Sequence, residues 1–259
     1  DLSSCMKLNY KNFGHGEPLV ILHGLMGMLD NWQSLAKGYS DHFEVFILDA
    51  RNHGHSPHDS EMNYEIMMHD LLEFCHDHGL SEIYLMGHSM GGKTAMKFAQ
   101  NFPDFVTKLI VADIAPVVYP IRHHIILEGL KSLDFNVIKS RGEAERQLEQ
   151  YIPEISIRQF LLKSSYWVEK GKLGLRFNLD SIIENIEIIG EQTTDAVFEK
   201  DTLFIRGENS EYVKEENLEL INEYFPNNSL VTIPDAGHWL HAEKPKLFIE
   251  ETLKFLIED

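Results

Sequence analysis

The chain is poor in cysteine, in basic residues and in long apolar runs, and each scarcity removes a class of protein. Two cysteines in 259 residues, Cys5 and Cys75, cannot make a disulfide framework, and they lack metal-like spacing. Cys75 sits in LLEFCHDHG, a helical pattern, and reads as a small buried apolar residue, in keeping with a reducing cytoplasm. Lysine and arginine number 23 against 41 aspartates and glutamates, a formal net charge of −18. Such a surface repels phosphate backbones and anionic lipid heads, so no nucleic-acid partner is expected. The acidic residues are spread along the chain and read as a solvated surface rather than a binding tail. No stretch approaches the roughly 20 uninterrupted apolar residues of a membrane span. The first ten residues show no basic segment followed by an apolar run, so no signal peptide is read there, and the chain is assigned to the cytoplasm. Internal repeats and low-complexity segments are absent.

What is present is an apolar fraction of 43%, enough for a substantial core. The length suits one sizeable domain, or a core carrying an insertion. Short apolar runs alternate with amphipathic stretches. CMKLNYKNF, PLVILHG, FEVFILD, EIYLMG and VTKLIVADIA read as strands. Between them lie helical patterns over 30–40, over 63–78 and from Ser89 to Asn101. Strands separated by helices at this spacing predict βαβ units and a mostly parallel sheet flanked by helices. Continuous hydrophobicity in the strands fits a sheet covered on both faces. The alternation stops between 117 and 198, where helical stretches appear without a convincing buried strand. It resumes with DTLFIRG, a helix near 212–225, SLVTIP and a final helix starting near Pro245. The expected organisation is a core of residues 1–116 and 199–259 with a helical lid insertion over 117–198.

Gly87-His88-Ser89-Met90-Gly91-Gly92 fits G-x-S-x-G between a predicted strand and a predicted helix, the context such a turn requires. The chain must turn so sharply there that neighbours without a Cβ are needed. Ser89 is therefore the candidate nucleophile. It stands at a helix N-terminus that favours developing negative charge. Acyl chemistry also needs donors for an oxyanion. His23-Gly24-Leu25-Met26-Gly27 follows the strand PLVIL, so the candidate donors are the Leu25 and Met90 N–H groups. Among 14 histidines, His238 stands out as the base. It lies between a strand and the last helix, late in the chain, as the order Ser, acid, His requires. His241, three residues on, is expected to shape the mouth of the site or to be solvated. His53-Gly54-His55-Ser56-Pro57-His58-Asp59 raises the question of a metal, but Pro57 stands where an H-x-H-x-D-H pattern needs Asp. No metal and no cofactor are expected. His123-His124 and His76-x-His78 are read as surface residues.

HGLMG, LDARNHGHS, MGHSMGG, VADIAP and DAGHWLHAEKP together resemble the α/β-hydrolase superfamily, over residues 18–116 and 201–258. More narrowly they resemble the YbfF-type bacterial serine esterases and their mitochondrial abhydrolase-domain relatives. The resemblance implies an α/β-hydrolase fold. The acid departs from the commonest superfamily pattern. After the strand that follows the insertion, Arg206-Gly207-Glu208-Asn209-Ser210 places Ser210 where an Asp usually stands. In the YbfF-type group the acid follows the strand before the insertion, which implies Asp113. Glu208 and Glu211 are the alternatives. Ser210 is a candidate to add a hydrogen bond to Asp113 or to the imidazole, beside its plainer reading as a surface loop serine. Tyr119 and Arg122 follow Asp113 closely and are candidates to reach substrate, Arg122 as a contact for an acidic or CoA-like group.

The expected activity is hydrolysis of small carboxylic esters or acyl thioesters through an acyl-enzyme. Two rivals stand beside it: carbon–carbon bond hydrolysis or lyase chemistry on the same scaffold, and a slow-turnover ligand receptor. Epoxide and haloalkane chemistry are disfavoured, because those relatives carry Asp where Ser89 stands.

Overall fold

The computed structural model describes residues 6–120 and 123–258. Seven strands make the main sheet: β1 (Tyr10–Phe13), β2 (Glu17–Leu22), β3 (Phe43–Leu48), β4 (Ile83–His88), β5 (Val106–Ala112), β8 (Thr202–Gly207) and β9 (Asn228–Ile233). Their order is β1-β3-β2-β4-β5-β8-β9, with only β1 antiparallel to its neighbour. The helices are α1 (Gln33–Tyr39), α2 (Tyr64–Asp77), α3 (Met90–Asn101), α4 (His124–Lys131), α5 (Arg141–Glu149), α6 (Ile155–Leu162), α7 (Leu179–Ile189), α8 (Leu218–Tyr224), α9 (Leu240–Glu243) and α10 (Pro245–Ile257). This is the mostly parallel, helix-flanked sheet expected from the strand and helix rhythm, and the α/β-hydrolase fold that the resemblance implies.

Both faces of the sheet are buried, and the period-2 geometry of a strand sorts its residues between them. Val20, Leu22, Leu85, Leu109 and Val111 face a cluster with Leu71 and Phe74 of α2 and Met96 and Phe98 of α3. Leu19, Ile21, Met86, Ile110 and Ala112 face the other way, onto Leu35 and Tyr39 of α1 and Phe248 and Leu256 of α10. Every residue of the run Leu19 to Leu22 is at most 9% exposed, which is why these strands read as continuous apolar runs. Helix starts follow local rules. Asn63 caps α2 by accepting from Ile66 N–H at 2.8 Å, and Pro245 occupies the first turn of α10. Cys75 is buried between α2 and the sheet, and burial pushes its thiol up to about 12.

Between β5 and β8 the chain forms α4, α5, α6 and α7. These pack on a third cluster, in which Leu130, Leu148, Leu161, Phe177 and Ile182 meet Met26, Met67 and Met90 of the sheet-bearing part. This segment also holds a hairpin, β6 (Ser165–Glu169) with β7 (Lys172–Leu175), turning at Gly171 with φ +79°. A search for buried strands passes over it because most of its residues are half-buried or exposed. Two further details differ from the sequence reading. The first strand begins at Tyr10, and α8 begins at Leu218 after a 3₁₀ turn over Glu215–Asn217. Among the described residues, no helix is long and apolar enough to cross a membrane.

Candidate active site

The carboxyl ends of β4, β5 and β8 and the loop after β9 converge on one point. Ser89 sits in the turn from β4 into α3 with φ 56° and ψ −120°, a conformation that L-residues adopt only under constraint. The glycines around it make the turn possible. A Cβ on Gly87 would lie 2.1 Å from Gly91 O, and one on Gly91 would lie 2.4 Å from His23 O. Ser89 N–H donates to Ala112 O at 3.1 Å, fastening the turn to the end of β5.

One residue beyond Ala112 stands Asp113, fully buried and also at positive φ, 52°. Its carboxylate accepts three hydrogen bonds. Gly207 N–H donates to Oδ1 at 3.2 Å, Ser210 Oγ to Oδ2 at 2.5 Å, and His238 Nδ1 to Oδ2 at 2.6 Å. With Nδ1 carrying the proton, His238 Nε2 is free to accept from Ser89 Oγ at 3.1 Å. The structure thus brings Ser89, His238, Asp113 and Ser210 into one chain of hydrogen bonds. Glu208 is turned elsewhere: its Oε1 accepts from Asp235 N–H at 3.1 Å. Glu211 is exposed.

The imidazole is held on several sides. The Tyr212 ring stacks on it at 4.1 Å, and the Trp239 ring meets it edge-on at 5.5 Å. His88 Nε2 donates to His238 O at 2.8 Å, so the residue just before Ser89 also fixes the backbone of the imidazole. Burial holds His88 well below the ordinary imidazole range, with His241 and His238 nearby adding to the effect, so it is neutral. His241 is corrected here. It is neither solvated nor at the mouth, but 3% exposed and stacked flat on Trp32 at 4.1 Å. The apolar ring of Trp32 makes a better neighbour for a neutral imidazole than the sequence position suggested.

Leu25 and Met90 flank Ser89, and among the described residues neither N–H has a hydrogen-bond acceptor. The loop that carries Leu25 is fixed by two neutral histidines. His53 Nε2 accepts from Met26 N–H at 2.9 Å while its Nδ1 donates to Arg51 O. His23 Nδ1 donates to Gly24 O at 2.7 Å, and its Nε2 accepts from Ala50 N–H. Burial, followed by the neighbouring His23, pushes His53 down to about 3, and burial also lowers His23. Both nitrogens of His53 are used within the chain, so this histidine is part of the scaffold of the site.

A cavity of about 340 Å³ opens over Ser89. Leu25, Met90 and Ile114 line it below, and Ile126, Ile157 and Phe160 line it from the segment between β5 and β8. Tyr119 lines it too, but its hydroxyl is occupied, donating to Tyr212 O and accepting from Ala115 N–H at 2.9 Å. His123 is corrected as well: it is half-buried and lines the cavity instead of facing solvent. His76, His78 and His124 are exposed. Arg122 lies outside the described residues.

The α/β-hydrolase fold family matches residues 17–125 and 128–245. The chain belongs to the α/β-hydrolase family. Among solved α/β-hydrolase structures, a marine microorganism esterase superposes with a TM-score of 0.94 at 46% identity, covering 96% of this chain and 99% of that one. Among curated relatives, esterase YbfF of Escherichia coli is 34% identical over 97% of this chain and 99% of its own. The sn-1-specific diacylglycerol lipase ABHD11 of Danio rerio is 37% identical over 98% of this chain and 84% of its own.

Sequence reasoning missed several members of this α/β-hydrolase site. His88 and His53 act through backbone groups, and Tyr212 through a ring face. The signal that could have exposed His53 is its place in the short loop that follows the buried strand β3. Lys93 was also passed over, although a lysine two places after Gly91 on a buried helix face is an unusual residue.

Proposed function

We propose that this protein, an esterase/lipase-like hydrolase, cleaves carboxylic esters through an acyl-enzyme on Ser89. The observation that carries the reading is the hydrogen-bond chain from Ser89 Oγ through His238 to Asp113, at 3.1 Å and 2.6 Å. His238 Nε2 takes the hydroxyl proton as Ser89 Oγ attacks the ester carbonyl. Asp113 keeps the proton on Nδ1 and stabilises the imidazolium that forms. The oxyanion is received by the Leu25 and Met90 N–H groups, the latter at the start of α3, where the helix dipole favours negative charge. The imidazolium then gives its proton to the leaving alcohol. Water, deprotonated by the same imidazole, releases the acid and restores Ser89. Ser210 acts as a positioning residue that holds the Asp113 carboxylate towards His238.

The segment between β5 and β8 serves as a lid whose apolar side chains form an acyl chamber and keep water from the reacting carbonyl. That lining favours an ester with a neutral, apolar acyl chain. Oxyesters rank ahead of CoA thioesters, because the one described lysine in the cavity wall, Lys93, spends its donors on main-chain carbonyls. The relatives described as an esterase and a lipase support the same class.

The test is steady-state hydrolysis of p-nitrophenyl esters of increasing acyl length by the wild type and by Ser89→Ala. Turnover that disappears with Ser89 supports the reading. Turnover that survives in Ser89→Ala sinks it.

A further inference from the structure

Lys93 lies four residues after Ser89 on α3 and is only 1% exposed. Burial pushes its amine down to about 7, opposed by the nearby Glu191 carboxylate. A lysine head at that depth needs acceptors. Nζ donates to Val117 O at 2.8 Å, to Gly190 O at 3.3 Å and to Glu191 O. Three carbonyls match the three donors of an ammonium, which leaves none for a substrate. The Tyr119 and Tyr64 rings flank the charge at 4.8 Å and 5.9 Å.

The three acceptors belong to two places in the chain. Val117 lies where the chain leaves β5, and Gly190 and Glu191 directly follow α7, where it returns towards β8. The two places also touch one another: Tyr119 N–H donates to Gly190 O at 2.8 Å. Tyr64 of α2 adds a bond from its hydroxyl to Ile189 O at 2.7 Å. Lys93, Tyr64, Tyr119 and Gly190 all lie in the wall of the cavity over Ser89. A single side chain on the nucleophile-bearing helix therefore ties down both roots of the segment that covers the site.

We propose that Lys93 is a positioning residue that fixes both roots of the lid and so sets the depth of the acyl chamber. It determines acyl-chain preference without touching the reacting atoms. The inference rests on the lid and ester reading above. Long acyl chains, which fill the chamber up to its wall, depend on this tie. Short chains bind near Ser89 and depend on it much less.

Two variants test the tie from opposite sides. Lys93→Met keeps the length of the side chain and removes its donors. Gly190→Ala adds a Cβ that would lie 2.4 Å from Tyr119 O, which pries the two roots apart without altering Lys93. For each, kcat and KM are measured with p-nitrophenyl butyrate and p-nitrophenyl decanoate. Amide hydrogen exchange is followed over residues 115–119 and 187–193, and fluorophosphonate labelling reports on Ser89. The expected result for both variants is a KM for the decanoate raised about tenfold, with kcat changed far less and the butyrate constants within about threefold. Exchange at both lid roots should quicken by about tenfold while the amides of β4 and β5 keep their protection. Equal losses with both esters, or unchanged exchange at the roots, would overturn the proposal. If Ser89 of the wild type takes no label, the serine reading fails on its own, and the exchange data still decide whether Lys93 ties the roots.

Discussion

Asp113 Oδ2 and His238 Nδ1 lie 2.6 Å apart, although 125 residues separate them in the chain. The contact joins the end of β5 to the loop after β9, with β8 between them in the sheet. Gly207 and Ser210, at and beyond the end of β8, donate to the same carboxylate from that intervening position. Asp113→Asn puts an amide where a carboxylate now accepts. It can hold the ring in the wrong tautomer, with the proton on Nε2. Turnover is expected to fall roughly 10³- to 10⁴-fold while KM changes little. Steady-state kinetics of Asp113→Asn beside Glu208→Gln checks this, and Glu208→Gln should stay near the wild type.

Ser210→Ala removes one donor from Asp113 Oδ2 and leaves the Gly207 N–H on Oδ1. The carboxylate is then less firmly aimed at His238, and kcat is expected to fall about threefold to tenfold. Ser210→Thr keeps the hydroxyl and should recover most of that loss. If the alanine variant retains full kcat, Ser210 is only a loop residue.

His53→Phe keeps a ring in place and deprives Met26 N–H of its acceptor. The unpaired buried N–H should lower unfolding stability by about 1–3 kcal/mol. The loop carrying the Leu25 donor should loosen with it, lowering kcat about tenfold or more through weaker oxyanion binding. Urea unfolding and kinetics of the one variant separate the two effects. A stability loss with unchanged kcat would confine His53 to a scaffolding role.

Four buried histidines make stability sensitive to mild acid. Burial pushes His53 and His241 down to about 3, and lowers His23 and His88 as well. Above about 6.5 these rings are neutral in both folded and unfolded chains, so the folded state keeps its full stability. As pH falls below that value, the unfolded chain binds protons that the folded chain refuses, and stability is lost, through His53 and His241 down to about 3. Between pH 6 and 5 the loss should approach about 1 kcal/mol per pH unit for each of His53 and His241, above the range where most carboxylates titrate, with His23 and His88 acting in the same direction. Urea midpoints at pH 7.5, 6.0 and 5.0 measure it. His241→Phe, which keeps a ring against Trp32, should flatten the slope. A midpoint unchanged from pH 7.5 to 5.0 would contradict the assignment of neutral buried rings.

Much of this molecule was legible from local rules. The strands declare themselves because burial on both faces makes them continuously apolar, as in Leu19 to Leu22. Ser89 is legible because a sharp strand-to-helix turn needs Gly87 and Gly91, and His238 because it follows a strand late in the chain. Asp113 was reached through resemblance, since a carboxylate at a strand end carries no local mark of its partner. The hairpin of β6 and β7 escaped because exposed strands lack a buried run. His88, His53 and His241 escaped because their roles depend on what lies across the fold: the carbonyl of His238, the amide of Met26 and the face of Trp32. Lys93 escaped for the same reason, as its three acceptors lie 24, 97 and 98 residues away.

The central claim is that Ser89 carries the acyl group. The most direct measurement is intact-mass and peptide-mapping mass spectrometry of the wild type, Ser89→Ala and His238→Ala after brief exposure to a fluorophosphonate. The account predicts one adduct per wild-type chain, located on Ser89, slowed by several orders of magnitude in His238→Ala and absent from Ser89→Ala. An adduct on another residue, or equal labelling of Ser89→Ala, would contradict it.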